Sequence, residues 1–403
     1  MLKPIALLMI FQLCSTAKAF ESWPEYRGLA AAEAEGLDDP RLIDAEYISD
    51  FVSYQKPLSW EAKLWRRQQG FDFSVGSLGG KEFLLDQRLL LTAPFTERLT
   101  FRLIWFNDQE LEDDFSTQKM EIAYRVGASW GVAGYGSLAF HKEENDVGAA
   151  LWRRVGLSEA RVYFSLLDFQ RNERNRETDR WGKHSEPKAY GLIMRRSIES
   201  ELGPSWWSEF SVRHEPRAKW NFPDVERRYE YQRTAAHVKV HRELADGRAR
   251  STRLAWDDKS ESETFFAPAS PSENQVRRQR IWLQAEQTIP QGKVDLRVGL
   301  NHFWRRYVGL GRDVVYRDWL PTLWLDRENW QFGYDAAFRW TSFSGDWLDA
   351  KTEHDDINHR LNVLYRWLFA DQGELAFLFT FDLDRFGTEE TWQGGSSRLQ
   401  WFF

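Results

Sequence analysis

Residues 329–341 read NWQFGYDAAFRWT, a nearly strict alternation of apolar and polar positions. Trp330, Phe332, Tyr334, Ala336, Phe338 and Trp340 fall on one face, and Gln331, Gly333, Asp335, Ala337 and Arg339 on the other. A period of two belongs to a β-strand whose faces meet different surroundings. At about 3.3 Å per residue and a tilt of about 40°, the outermost tryptophans stand about 25 Å apart along a membrane normal. That is the height of an apolar band edged by aromatic rings. Trp330 and Trp340 are therefore expected in two girdles, with Trp105 and Trp130.

The pattern recurs from about residue 68 onward in segments of roughly ten residues. In ERLTFRLIWF, Leu99, Phe101, Leu103 and Trp105 alternate with Thr100, Arg102 and Ile104. Met120, Ile122 and Tyr124 oppose Glu121 and Arg125, and Val294, Leu296, Val298 and Leu300 oppose Asp295, Arg297 and Asn301. Leu375, Phe377, Phe379 and Phe381 oppose Thr380 and Asp382. Short connections at 93–97, 126–129, 155–160, 245–248, 289–292 and 371–373 alternate with long polar ones at 107–116, 170–188, 257–275 and 341–356. Together these predict an all-β fold, a transmembrane antiparallel up-and-down barrel of about 18 strands, with 16 as the alternative. Strand boundaries are soft around 68–78, 247–257 and 312–325, where Pro321 suggests a bulge or a strand end.

The chain closes on SSRLQWFF, so alternation runs to its last residue. Leu399, Trp401 and Phe403 share one face, and Arg398, Gln400 and Phe402 the other. This ending resembles that of Gram-negative outer-membrane β-barrel proteins, and so does the alternation over residues 68–403. The resemblance implies that the last strand pairs with the first and that the barrel-assembly machinery recognises Leu399, Trp401 and Phe403. It also implies an outer-membrane location, with lipid and lipopolysaccharide around the wall.

The other end is different. Residues 1–19 read MLKPIALLMIFQLCSTAKA, a basic residue, an apolar run and a small-x-small site, which predicts a secretory leader. It contains the sole cysteine, Cys14, so thiol chemistry is not expected of the mature chain. Residues 20–67 are expected to form a helical periplasmic or plug segment. Asp39 and Pro40 supply a helix start, and Ile43, Tyr47, Phe51 and Tyr54 an apolar stripe.

Composition narrows the partners. Removing the leader takes Lys3 and Lys18, leaving 52 of the 54 basic residues against 61 acidic ones and moving the formal charge from −7 to −9. Nucleic acid, which needs clustered positive charge, is not an expected partner. The 21 tryptophans and 28 phenylalanines beside 29% charged residues fit a wall with one apolar and one polar face. The polar face predicts a lumen lined by Arg88, Arg102, Arg125, Arg297, Arg339, Arg360, Arg366, Asp86, Glu121, Asp295 and Asp335. Such a lumen suits a channel or export pore for polar or charged solutes, small anions among them. Alternatives are export of an acidic polysaccharide, with Trp207, Trp220 and Trp392 stacking on sugars, and a plugged barrel with a structural or surface role.

Candidate chemistry is sparse. His237 and His241 on one strand face lie about 13 Å apart, too far to share a metal. The EHDDINH stretch, Glu353 to His359, reads as a solvated loop, and DLDRFG lacks the ligands of a calcium loop. The acidic loop with Asp108, Glu110, Glu112, Asp113 and Asp114 could hold divalent cations bridging lipopolysaccharide phosphates. Asn301 and His302 have no serine placed beside them, so no catalytic residue is named and no enzyme is expected. Neither a metal nor a cofactor is expected.

Overall fold

A computed structural model describes residues 58–403 except 68, 79–81, 109–114, 138–146, 167–171, 176–179, 186–187, 199–204, 223–226, 266–271, 310, 346–351, 370–371, 389–390 and 403. The leader and the Asp39–Tyr54 stripe lie outside the described residues. Among the described residues, helix α1 (Leu58–Arg67) precedes twenty strands. These are β1 (Gly70–Leu78), β2 (Glu82–Pro94), β3 (Leu99–Asp108), β4 (Phe115–Arg125), β5 (Trp130–Ser137), β6 (Val147–Val155) and β7 (Ser158–Leu166). Then come β8 (Asn172–Asn175), β9 (Arg180–Ser185), β10 (Lys188–Ile198), β11 (Ser205–Phe222), β12 (Arg227–Glu243), β13 (Ala249–Phe265) and β14 (Ser272–Gln291). The chain finishes with β15 (Val294–Gly309), β16 (Arg312–Arg327), β17 (Trp330–Gly345), β18 (Thr352–Phe369), β19 (Gly373–Asp382) and β20 (Trp392–Phe402).

Eighteen of the strands form a closed antiparallel ring. β7 pairs directly with β10, so the β8–β9 hairpin stands outside the ring and adds to the upper part of β11 through Lys219 opposite Ser185. The last strand closes on the first, with Trp401 opposite Phe71 and Leu399 opposite Phe73. Closure pairs both edges and leaves no ladder open to lipid.

Burial separates the two faces as alternation predicts. Ile122, Val132, Leu151, Met194, Leu254 and Phe332 are exposed outward, while Glu121, Arg253, Asp318 and Arg360 are buried inside. Trp130, Trp330 and Trp340 are exposed on the outer face; the side chain of Trp105 lies outside the described residues. An apolar outside around a charged inside inverts a soluble protein and suits a wall between lipid and a lumen.

The connections differ from the sequence reading in two ways. Much of what reads as long loop is strand: β13 continues to Phe265, β14 starts at Ser272, β17 runs to Gly345 and β18 starts at Thr352. β11–β18 span 16–20 residues each, against the roughly 9–11 that cross a bilayer. Beyond the apolar band both faces meet water, so the ladder persists while the alternation disappears. Likewise, Ile289 and Pro290 belong to β14, and only Gly292 and Lys293 turn. Pro321 neither ends nor bulges its strand. β16 runs through it, and its ladder to β17 skips Leu320 and Pro321 without a change of register, as a residue without an N–H requires.

Candidate translocation path

The segment LSWEAKLWRR carries an acid, Glu61, in its first turn and Arg66 and Arg67 in its last, which favours a helix from both ends. Leu58, Ala62 and Trp65 recur at helical spacing and pack on Trp207 of β11, which is 1% exposed. Leu64 lies on another side of α1 and meets Leu90 of β2 and Phe402 of β20. Gly70 makes this approach possible. A Cβ there would stand 3.0 Å from Leu64 Cδ1 and 3.1 Å from Phe402 Cδ1.

Polar contacts fix the remaining degrees of freedom. Glu61 lies 2.9 Å from Arg253 of β13 and 3.3 Å from Lys239 of β12. The Trp65 indole N–H donates to the Leu157 carbonyl at 2.8 Å, and its ring lies beneath the guanidinium groups of Arg154 and Arg195. Those two arginines pair in turn with Glu159 and Glu209. Arg66 donates to the hydroxyls of Ser197 and Ser205 and stands 3.8 Å from Glu243. The Gln69 amide donates to the Thr92 carbonyl at 2.7 Å.

The strands that hold α1 are not neighbours. β2 and β13 stand opposite each other in the ring, with eight strands between them whichever way it is followed. α1 therefore crosses the lumen from wall to wall at the end bearing the short turns, which is the periplasmic end in barrels of this type.

Beyond the helix, inward side chains line the wall with cross-strand ion pairs. Arg102 and Arg161 flank Glu121 at 3.2 and 2.5 Å, and Arg233 reaches Asp257 at 2.8 Å. Asp318 takes Arg339 at 2.7 Å and Arg305 at 3.6 Å; Asp72 takes Arg398 and Gln400, each at 3.0 Å. Arg360, 1% exposed, donates to Asn358 and sits in register between Asp335 and Asp382. Asp335 also accepts from the Asn362 amide. Arg297 lies between Glu286 and Asp326 at 3.9 and 3.7 Å, over the ring of Trp324. An apolar cluster of Ala255, Trp282, Phe303 and Leu320 interrupts the charges, and Arg253 stacks on Trp282 at 4.5 Å, joining that cluster to Glu61 of the helix.

Three residues expected in the lumen stand at its rim instead. Arg125 is exposed and donates to the Glu97 carbonyl, Arg366 reaches the Glu328 carbonyl, and Asp295 is exposed beside a short turn. Each shares the inward phase of its strand but sits within a few residues of a turn, where phase no longer fixes surroundings. Asp86 and Arg88 lie opposite Ser74 and Asp72 on β2, with side chains outside the described residues. His237 and His241 face the lumen and contact Glu209 and Glu243. Most of the acidic loop 107–116 lies outside the described residues. Among the sugar-stacking candidates, Trp207 is covered by α1 and Trp392 packs outward on Phe379 and Phe381. Trp220's side chain lies outside the described residues. The helix anchors Glu61, Lys239 and Arg253 were not among the expected path residues, because no local pattern marks them.

A closed wall, lipophilic outside and charged inside, decides the class. The chain is a closed antiparallel β-barrel with an apolar outer wall. No family model matches its sequence, and no curated protein does. Among solved structures it is similar to a loop-deletion mutant of OmpT, an outer-membrane protein of Vibrio cholerae, at 8% identity and TM-score 0.37, covering 83% of this chain and 97% of that one. It is also similar to OccK10 (OpdN) of Pseudomonas aeruginosa, at 12% identity and TM-score 0.38, over 83% and 98% of the two chains. A third is the outer membrane protein opdK of Pseudomonas aeruginosa, at 8% identity and TM-score 0.33, over 82% and 96%.

Proposed function

We propose that this barrel is a gated channel for polar or charged solutes, with α1 as the gate and the ion-paired lumen as the path. The observation that carries the reading is that α1 bridges opposite walls of the ring at its short-turn end. A segment in that position restricts passage while docked, and its release exposes a route lined by alternating arginines and acids. Interleaved charges favour hydrated polar and ionic solutes over apolar ones, and the lumen arginines offer transient partners to small anions. Polysaccharide export loses part of its support, since Trp207 and Trp392 are engaged elsewhere. A barrel hydrolase is disfavoured because Asn301 is buried inside while His302 stacks outward on Trp319, so the pair shares no site. Leu399, Trp401 and Phe403 keep their proposed role as the assembly signal.

The test is single-channel conductance in a planar bilayer, comparing the mature protein with a variant lacking residues 20–67. We expect brief or small openings in the former and large, persistent ones in the latter. Equal conductance in both would remove α1 as the gate. Silence from both, with the barrel shown to be folded by its heat-dependent gel mobility, would favour a structural role.

A further inference from the structure

Lumen arginines have carboxylates beside them; a second set has none among the described residues. Arg153, Arg196, Arg242 and Arg250 are exposed and occupy outward positions on β6, β10, β12 and β13. Each lies within three residues of the short-turn end of its strand, just past outward apolar residues such as Leu151, Met194 and Leu254. Arg153 stands over the Trp130 ring at 5.7 Å and Arg196 over Trp206 at 5.3 Å. Arg242 lies directly opposite Arg250 on one side and Trp206 on the other. Among the described residues none of the four takes part in an ion pair. Outward positions beside them carry apolar, hydroxyl or indole side chains, apart from Gln287 of β14 opposite Arg250; Arg248 in the adjoining turn is paired with Asp246.

Like charges placed directly across a ladder repel. Here the repulsion falls at the lipid boundary, where water screens poorly and, among the described residues, no carboxylate pairs with either arginine. An anion between the guanidinium groups removes the penalty, and a phosphodiester suits their planar forks while its acyl chains lie on the apolar surface beyond. The short-turn end faces the periplasmic leaflet, which places phospholipid headgroups at this height. We infer that the arc from β6 to β13 is a binding site for anionic phospholipid, with Arg153, Arg196, Arg242 and Arg250 holding headgroup phosphates and Trp130 and Trp206 flanking them at the interface.

The test measures the thermal unfolding midpoint of the full mature barrel in vesicles of phosphatidylcholine, with and without phosphatidylglycerol. Phosphatidylglycerol should raise the midpoint of the native protein. A variant with all four arginines changed to glutamine should lose most of that rise, whereas Arg277→Gln, a change of a paired arginine at the far end, should keep it. If the fourfold variant fails to show the mobility of a folded barrel, Arg242→Gln with Arg250→Gln takes its place and should lose at least half of the rise. An unchanged rise in the variant, or none in the native protein, would overturn the site. An equal rise from inorganic phosphate in phosphatidylcholine alone would overturn the assignment to lipid.

Discussion

At the scale of single residues, the docking of α1 depends on Glu61. Its carboxylate is taken from water and set between Lys239 and Arg253, both almost fully buried. Removing the charge takes one counter-charge from two buried cations. Glu61→Gln should weaken helix docking by about 2–3 kcal/mol, roughly a 30- to 150-fold shift toward the open state. Open probability in single-channel records reads this directly, and an unchanged value would show that the pair does not hold the gate. Nothing in the sequence could have singled out Glu61, because Arg253 is 192 positions away and closure of the ring alone brings them together. The reverse holds for Asp335 and Arg339, whose inward placement follows from the alternation around them.

Among the elements, strands within the apolar band were legible and the rest was not. Alternation reports that two faces meet different media; it does not report hydrogen bonding. In β17 the pattern from Trp330 to Trp340 and the burial of alternate residues coincide. In β13 and β14, the polar stretches 257–265 and 272–275 continue the ladder above the membrane with no alternation to reveal them. Helix α1 falls at the end of the segment read as helical, yet its stripe became meaningful only with Trp207 facing it. Packing inside the wall offers a check on the same scale. A Cβ at Gly191 of β10 would lie 2.1 Å from the Tyr163 ring, which rests on the bare backbone of that glycine. Gly191→Leu should force that ring aside, costing about 1–3 kcal/mol. The yield of heat-modifiable barrel should fall, whereas Gly134→Leu, which meets nothing within 4 Å, should leave the yield near that of the native protein.

For the whole molecule, the wall and helix α1 are separable. The ring closes through β1 and β20 without help from residues before Gly70. Removing residues 20–67 should leave the folded, heat-modifiable species intact, with a lower thermal midpoint because Trp207, Leu90 and Phe402 lose their cover. Loss of the folded species would show instead that the segment is part of the barrel's core.

The packing surface for Leu64 also sets an order of events. It is built from Leu90 on β2 and Phe402 on β20, with Gly70 of β1 between them, so it straddles the closing seam. While the final strand has yet to meet the first, that surface does not exist and α1 has no complete seat. A barrel still being sewn shut therefore holds the helix loosely at best, and its final stitch is also what first completes the seat of Leu64.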